Sequence, residues 1–238
     1  MLEYKIILGD SLQVLKTIPE STIDHIITDP PYNISSKTKQ TMVGPSIVTA
    51  EFGEWDCLSK EEYDKWFEEL LKSMHRIAKK GANALIWLDR AYAGVAWFMA
   101  EGTGWNPRNL FAAVKKNPVP SRRGKNLNSA WEACLWLSKG PVKTLNTNSQ
   151  LGLDKNVFFY NIGIDKKTSH PTEKYESMIE PLVEMYTNEG DVVLDPFSGS
   201  GTVAVVCKKK NRGCLAIEKD SKWVELTERR IDATSRPL

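Results

Sequence analysis

Five consecutive residues, Asp29, Pro30, Pro31, Tyr32 and Asn33, combine a carboxylate, a stiff backbone and an aromatic ring. Two adjacent prolines fix φ and remove two N–H donors, so this loop is rigid and rich in hydrogen-bond acceptors. The carboxylate and a proline carbonyl could accept hydrogen bonds from a planar amino group while the ring stacks on its face. A flipped nucleobase with an exocyclic amino group is such a ligand. The alternative is a proline turn that only ends a strand, which leaves the flanking Asp29 and Tyr32 without a role.

A second segment, DPFSGSGT at residues 195–202, is followed by Glu218 in the next predicted strand. Glycines let the backbone approach a ligand, and the following helix offers free N–H groups to a carboxylate or phosphate. A carboxylate at the position of Glu218 accepts hydrogen bonds from both ribose hydroxyls, which predicts a cofactor that contains a nucleoside. A nicotinamide-dependent enzyme is an alternative, but it does not explain the DPPYN loop. No lysine follows the glycines as the phosphate-binding loop of an NTPase requires, which argues against an ATPase.

Short apolar runs and helical periodicities predict the elements that position these two segments. We predict strands at 4–8, 24–28, 84–88, 110–114, 130–137, 191–194 and 214–217, and helices at 11–18, 59–79, 91–101, 171–186, 202–210 and 221–232. Residues 139–169 are polar and weakly periodic, which indicates a loop or insertion. Alternating strands and helices predict an α/β fold with an open, doubly wound sheet, and ligands of such sheets bind beyond the carboxyl ends of the strands.

The net charge of +2 hides an uneven distribution of charge along the 238 residues. Residues 1–104 carry a net charge of −4 (11 basic, 15 acidic), 105–175 carry +8 (12 basic, 4 acidic), and 176–238 carry −2 (9 basic, 11 acidic). A basic middle segment is expected if one face of the protein meets a polyanion, although a solvated basic loop is the alternative. No apolar stretch is long enough to span a membrane and no signal-peptide pattern is present, so we expect a cytoplasmic protein.

Together, these segments resemble the DNA amino-methyltransferases that depend on S-adenosylmethionine, in which DPPY forms the catalytic loop and FxGxG the cofactor loop. The order found here, DPPY before FxGxG, resembles the circularly permuted β group of these largely bacterial or phage-encoded restriction–modification enzymes. Two further segments resemble family motifs, HPTEK at 170–174 and KKNP at 115–118 with WEACLWLSKG at 131–140. Departures are Glu173 for the usual glutamine, Tyr175 for proline and Ala113 for tryptophan.

The resemblance implies one Rossmann-like methyltransferase domain over residues 1–238, with a mostly parallel sheet that contains an antiparallel hairpin. Its implied target is adenine N6, because cytosine-N4 enzymes more often have serine in place of the first aspartate of DPPY. The implied catalytic residues are Asp29, Pro30, Pro31 and Tyr32. The implied residues for S-adenosylmethionine are Asp10, Asp29, Thr172, Lys174, Asp195, Phe197, Gly199, Ser200, Gly201, Thr202 and Glu218.

DNA is the implied partner, and basic or amide side chains between the family motifs are the expected contacts. These are Asn33, Lys37, Lys39, Lys115, Lys116, Asn117, Arg122, Arg123 and Lys125. The candidate target-recognition segments are 34–54 and 115–169. Their small size predicts a short recognition site, or a homodimer in which one subunit positions DNA for the other.

Several alternatives remain open in the sequence. A cytosine-N4 enzyme would use the same residues, an RNA or protein methyltransferase could share the DPPY-like loop, and a catalytically silent DNA-binding subunit would keep only the basic segment. The four cysteines are isolated and none lies in a rigid strand-end turn, which disfavours the covalent cysteine mechanism of cytosine-C5 methylation. The three histidines are equally scattered, so we expect no metal site. Because no apolar stretch is long enough to span a bilayer, we also expect no membrane partner.

Overall fold

A computed structural model of the protein describes residues 3–33, 41–43, 46–48, 58–118, 120, 127–147, 155–163 and 166–235. The described residues form ten strands. They are β1 (Tyr4–Leu8), β2 (His25–Thr28), β3 (Thr41–Val43), β4 (Ser46–Val48), β5 (Asn83–Leu88), β6 (Asn106–Lys115), β7 (Trp131–Ser138), β8 (Val157–Tyr160), β9 (Val192–Asp195) and β10 (Gly213–Glu218). Strands β3 and β4 pair with each other as an antiparallel hairpin apart from the other eight.

The eight remaining strands form one mixed sheet in the order β1-β10-β9-β2-β5-β7-β6-β8. All neighbours from β1 to β5 are parallel, and so are β6 and β8. Only β7 runs in the opposite direction, because it pairs antiparallel with both β5 and β6. The predicted parallel sheet with one antiparallel hairpin is therefore confirmed.

Six helices cover the two faces of this sheet. They are α1 (Ser11–Thr17), α2 (Lys60–Ile77), α3 (Ala93–Gly102), α4 (Glu176–Tyr186), α5 (Thr202–Lys209) and α6 (Ser221–Ala233). One apolar core lies under α1, α2 and α3, and a second lies under α4, α5 and α6. Strand β5 is buried along its whole length because its alternating side chains serve both cores: Ile86 faces the first and Trp87 the second. Burial on both faces explains why its sequence is continuously apolar.

Helix α2 shows how the local sequence sets an element. Its start is fixed by Ser59, whose side chain accepts a hydrogen bond from the Glu62 N–H, while the Glu62 carboxylate accepts one from the Ser59 N–H. This capping box is the one predicted from the sequence, and the helix ends one residue before the Ala78 cap. Within the part of the chain that the structure describes, no helix is both long and apolar enough to cross a membrane.

Two predictions about the elements were wrong. The segment 139–169, predicted as a loop, contains β8, whose residues VFFY extend the sheet beyond β6. Four apolar residues are too few to show a helical or alternating period, but aromatic and β-branched types favour a strand. Helix α4, predicted from Pro171, begins at Glu176 with Tyr175 as its cap. The Glu173 carboxylate instead accepts a hydrogen bond from the nearby Thr168 N–H, and the Lys174 ammonium donates one to Glu132 of β7.

Candidate active site

The two sequence segments meet at one edge of the sheet. The carboxyl ends of β2, β9 and β10 lie side by side, so the loop after Thr28 faces the loop after Asp195. The Thr28 hydroxyl donates a hydrogen bond to the Asp195 carboxylate at 2.9 Å, which joins the two loops directly. Burial raises the pKa of Asp195 to about 7. The predicted meeting of both segments beyond the strand ends is thus what the structure has.

The DPPYN loop is held by contacts at each end. The Tyr32 hydroxyl donates a hydrogen bond to Asp29 at 2.5 Å, and the Pro31 carbonyl accepts one from the Tyr63 hydroxyl of α2 at 2.8 Å. Asn33 has a positive φ of 54°, and its side-chain amide exchanges two hydrogen bonds with the backbone of Leu58. Asn33 therefore joins the end of the loop to Leu58, two residues before α2, and its amide is already engaged.

A half-buried network of charges surrounds Asp29. Its carboxylate lies 3.1 Å from the Lys174 ammonium, which also lies 2.7 Å from Glu132 of β7. Glu132 lies 2.9 Å from the Lys115 ammonium and accepts a hydrogen bond from the Tyr160 hydroxyl at 3.2 Å. Two carboxylates and two ammonium groups thus alternate in a chain of ion pairs from the DPPYN loop to β6.

Burial and pairing act against each other on the pKa values in this network. Burial raises the pKa of Asp29, although the nearby Lys174 ammonium opposes this effect. Burial also favours a raised pKa for Glu132, but the ammonium groups of Lys174 and Lys115 outweigh it and lower the pKa to about 2. For Lys174, burial would lower the pKa, yet the two carboxylates raise it above its ordinary value. At neutral pH, Lys174 and Glu132 are therefore both charged.

The glycine loop between β9 and α5 is shaped by two residues with positive φ, Gly199 at 50° and Gly201 at 78°. Glu218 accepts a hydrogen bond from the Gly199 N–H at 2.8 Å and two more from the N–H groups of Lys219 and Asp220. On the other side, Arg230 of α6 donates a hydrogen bond to the Ser200 carbonyl at 2.6 Å. The loop is therefore clamped between the end of β10 and α6.

Asp10 lies near Glu218, as the first strand and β10 are neighbours. The Gly9 N–H donates a hydrogen bond to the Glu218 carbonyl at 2.9 Å, which places the next residue, Asp10, beside the end of β10. The Asp10 carboxylate accepts a hydrogen bond from the Gln13 N–H and caps α1. Phe197 packs its ring against Trp66 of α2 at a centroid distance of 5.7 Å.

A cleft with an empty volume of about 450 Å³ opens between the two loops. Its lining includes eight of the eleven residues predicted to hold the cofactor: Asp29, Thr172, Lys174, Asp195, Phe197, Gly199, Ser200 and Thr202. Asp10, Gly201 and Glu218 are not among its lining residues. Gly201 belongs to the clamped loop, and Asp10 and Glu218 lie at the ends of the neighbouring strands β1 and β10.

The chemistry of the cleft fits a charged, polar cofactor. Among the described residues, Ser198 Oγ, His170 Nδ1 and Trp87 Nε1 are buried atoms that line the cleft and have no hydrogen-bond partner. Such groups are costly to bury unless a ligand or water pairs with them. Burial lowers the pKa of His170 to about 4, so its ring is neutral near pH 7. A side chain at Gly199 would approach His170 Nε2 to 3.2 Å, so glycine keeps this wall of the cleft open.

The residues predicted to contact DNA differ in their exposure and in whether other residues of the protein already pair with them. Lys116 is exposed at the end of β6, whereas Lys115 is paired with Glu132 and its side chain is only 17% exposed. The Asn117 amide exchanges two hydrogen bonds with the backbone of Ile162. The five other basic residues, Lys37, Lys39, Arg122, Arg123 and Lys125, lie outside the described residues. Of the two candidate recognition segments, 34–54 contains the β3–β4 hairpin and 115–169 contains β7 and β8.

Four residues of the site were not singled out from the sequence. Glu132 lies in β7 and Trp87 lies in β5, and both strands are mainly apolar. The available sequence signal for each residue was a polar group inside an apolar run. Ser198 lies inside the glycine segment, but a serine there has no sequence feature that marks it as buried and unpaired. Arg230 follows the polar period of α6, and only the fold brings its guanidinium to Ser200 and Glu176.

Replacing Gly201 with alanine is expected to destabilise the fold by about 2 to 4 kcal/mol, from the left-handed backbone and from a steric clash. The added Cβ would lie 2.5 Å from Thr227 Cγ2, on α6. Gly190→Ala is the matched control because Gly190 also has a positive φ but has open space around it. Urea unfolding of both variants measures the difference, and equal losses for the two would contradict the clash with Thr227.

Three comparisons with known proteins show what this chain is similar to. The model of the N6/N4 methyltransferase family, described as DNA methylase, matches residues 23–229. The type II methyltransferase M.HinfI of Haemophilus influenzae is 30% identical over 245 aligned positions, which cover 95% of this chain and 67% of M.HinfI.

Solved structures share the fold along almost the full length. The M1.HpyAVI–SAM complex superimposes with a TM-score of 0.71 and 20% identity over 96% of this chain and 99% of that chain. The cytosine-N4-specific PvuII DNA methyltransferase does so with a TM-score of 0.72 and 18% identity over 98% of this chain and 94% of that chain. The mixed sheet with helices on both faces is therefore a methyltransferase fold.

Proposed function

The chain belongs to the N6/N4 DNA methylase family, and from this premise we propose that it methylates adenine N6 in DNA. The observation that carries the proposal is the position of Asp29. Its half-buried carboxylate lies at the carboxyl end of β2, in the wall of the same cleft as the glycine loop. An acceptor for an amino group and a site for a methyl donor thus share one cavity.

The cofactor of this family is S-adenosylmethionine, which supplies a methyl group on a sulfonium sulfur that needs no further activation. We propose that Glu218 and Asp10 bind the adenosine part, because they lie at the ends of neighbouring strands. The methionine part would lie along the cleft lining, where Ser198 Oγ and His170 Nδ1 have no protein partner. Thr172 also lines this wall. A methyl donor held by these residues would share the cleft with Asp29.

The amino nitrogen of adenine is a weak nucleophile, so the chain must orient its lone pair. We propose that the Asp29 carboxylate and the Pro30 carbonyl accept hydrogen bonds from the two N6 protons. Tyr32 and Lys174 each occupy one acceptor position of the two Asp29 oxygens, which leaves further acceptor positions free. The new N–C bond would form as the C–S bond of the methyl donor breaks, and the neutral thioether S-adenosylhomocysteine would leave. Positive charge then develops on nitrogen and is stabilised by the carboxylate. Asp29 then accepts the surplus proton.

Base flipping requires a surface that replaces the stacking lost in the duplex. The Tyr32 ring would provide it, since its hydroxyl is tied to Asp29 and the ring is half-buried at the site. Such stacking contributes about 1 to 3 kcal/mol per base. The permuted motif order, with the DPPY strand earlier in the chain than the glycine loop, supports assignment to the β group.

Cytosine N4 is the second candidate target, because the PvuII enzyme shares the fold and is cytosine-N4-specific. Both bases present an amino group, so Asp29 and Pro30 would act in the same way on either. Adenine is favoured by the aspartate that begins DPPY. A silent DNA-binding subunit is disfavoured by the intact cleft and its unpaired polar atoms.

DNA would be held mainly by the basic segment, with Lys116 at its described edge and Arg122, Arg123 and Lys125 further along. Lys37 and Lys39 would contact phosphates from the segment after DPPYN. A homodimer that positions DNA, a single domain over 1–238 and a cytoplasmic location remain parts of the proposal.

Unmethylated, whole-genome-amplified bacterial DNA and S-adenosylmethionine with a deuterated methyl group provide the test. Mass spectrometry of the digested DNA should detect deuterated N6-methyladenine, and sequencing of the same DNA should give one short motif. Deuterated N4-methylcytosine would overturn the choice of adenine as the target base. If RNA is added to the reaction and only this RNA carries the deuterated methyl group, the proposal that DNA is the substrate would be overturned. At subsaturating DNA, the rate should fall between 50 and 200 mM salt as phosphate contacts weaken.

A further inference from the structure

One carboxylate near the reaction centre has no part in the mechanism above. Glu132 projects from β7 and shares the Lys174 ammonium with Asp29, at 2.7 Å against 3.1 Å for Asp29. Three donors hold it: Lys174 before α4, Lys115 of β6 and the Tyr160 hydroxyl of β8. A carboxylate fixed by donors from three elements is an ordered part of the site rather than a mobile surface group.

We propose that Glu132 is a positioning residue for methyl transfer, which acts through Lys174 to keep Asp29 oriented and available to the amino group of the target base. The inference rests on the proposed function, since it assigns a role within the same reaction. Glu132 itself does not touch the reacting atoms.

Electrostatics gives the reason why a second carboxylate is needed. Without Glu132, the Lys174 ammonium would have Asp29 as its ion-pair partner and would take up more of its negative charge. An unbalanced ammonium would also face a sulfonium cofactor and a nitrogen that becomes positive, and like charges in a buried site repel strongly. Because Glu132 pairs with Lys174 more closely than Asp29 does, it balances this charge and leaves the carboxylate of Asp29 as an acceptor.

Other groups that face Asp29 do not supply this balance. Tyr32 donates a hydrogen bond to it, and burial raises the pKa of Tyr32 well above its ordinary value, so this phenol stays neutral. The Cys134 thiol of β7 is also kept neutral by burial, which raises its pKa. Asp195 of β9 is bonded to Thr28 and Phe197, and burial raises its pKa to about 7, so it carries its negative charge only in part at neutral pH. Lys174 and Glu132 are thus the charged pair that sets the surroundings of Asp29.

The first test compares Glu132→Gln with wild type in single turnover on whole-genome-amplified bacterial DNA, over a range of pH. The variant should lose about 10-fold in plateau rate, with the affinity for the methyl donor unchanged within about 3-fold. The acid limb of the variant's pH–rate profile should move to lower pH by about 0.5 unit or more, because loss of the nearby negative charge of Glu132 favours the ionised form of Asp29. A plateau rate within twofold of wild type, or a slower rate with an unmoved limb, would overturn the proposal.

A double variant separates this role from a purely structural one. If Glu132 acts through Lys174, Glu132→Gln should lower the rate by less than about twofold in a Lys174→Met background. A double variant whose loss of rate equals the product of the two single losses would overturn the proposal. Glu180→Gln is the matched control, because Glu180 also pairs with a lysine, Lys210, but lies outside the cleft lining. It should leave both the rate and the limb unchanged.

A measurement without DNA or methyl transfer separates failure of this inference from failure of the proposed function. In protein labelled with ¹³C-aspartate, the Asp29 carboxyl resonance, assigned with Asp29→Asn, should titrate at lower pH in Glu132→Gln than in wild type. An unchanged midpoint overturns the role of Glu132 even if wild type methylates DNA. A shifted midpoint in a protein that methylates no DNA would leave the coupling intact and place the failure in the proposed function.

Discussion

Asp29→Ala is expected to lower the single-turnover rate of DNA methylation by roughly 10²- to 10⁴-fold, the range seen when a charged catalytic acceptor is lost. In our proposal, the variant removes the half-buried carboxylate that accepts hydrogen bonds from the amino group and balances the charge developing on nitrogen. The rest of the cleft stays in place, because the glycine loop is clamped by Glu218 and Arg230 and not by Asp29. Affinity for S-adenosylmethionine should therefore change by less than about 5-fold.

The rate is measured by quenched-flow transfer of a tritiated methyl group, with enzyme in excess over DNA sites. Cofactor affinity is measured by calorimetric binding of S-adenosylhomocysteine, the product form of the cofactor. Asp232→Asn on the exposed end of α6 is the control and should match wild type. Lys174 keeps Glu132 as a partner in Asp29→Ala, so the variant should fold, which a thermal melt checks. Turnover within 10-fold of wild type would remove Asp29 from the catalytic role.

The positions of both chemical loops could be predicted because strong local rules apply there. Asp29 and Asp195 each directly follow an apolar run, and in a parallel sheet such residues share one edge. Strand β8 could not be predicted in the same way, because four residues in a polar stretch have no measurable period. Its place depends on the long-range pairing of Val157 with Ala112, which no local pattern contains.

The charge of the middle segment was predictive only in part. Its net charge of +8 treats all twelve basic residues alike, yet several are used inside the protein. Lys115 and Lys174 pair with Glu132, and the Lys139 ammonium donates to the carbonyls of His75 and Ala78. A count of charges does not distinguish a lysine that faces solvent from one whose partner is distant in sequence, so the surface available to DNA is less basic than the count suggests.

Lys174 shows the same limit at the level of the site. Its motif predicted a role near the cofactor carboxylate, and the residue does line the cleft. Its ammonium is nevertheless shared by two carboxylates, one 145 and the other 42 residues earlier in the chain. The motif places the residue at the site, whereas the choice of partner depends on β7, whose glutamate is separated from the HPTEK segment in sequence.

Glu218→Gln is expected to weaken binding of S-adenosylhomocysteine by about 10- to 150-fold, the equivalent of one charge-assisted hydrogen bond of roughly 1.5 to 3 kcal/mol. The carboxylate has two tasks in our proposal. It accepts the Gly199 N–H and two further backbone N–H groups, and it would accept the ribose hydroxyls. The amide of glutamine has one acceptor oxygen and no charge, so the hydrogen bonds from the backbone N–H groups and from the ribose hydroxyls should both weaken. Isothermal titration calorimetry measures the affinity, with the exposed Glu228→Gln on α6 as the control.

A ligand that lacks the ribose 2′-hydroxyl distinguishes the two tasks. If Glu218 binds the ribose, the 2′-deoxy analogue should bind wild type about 10-fold or more weakly than the parent compound, but should bind Glu218→Gln nearly as well as the parent does. If Glu218 only shapes the glycine loop, the analogue should lose the same factor in both proteins. The first pattern identifies a direct contact, since removing either partner abolishes the same interaction. The second would leave Glu218 as a support for Gly199 and transfer the ribose to another acceptor, of which Asp10 lies nearest along the strand ends.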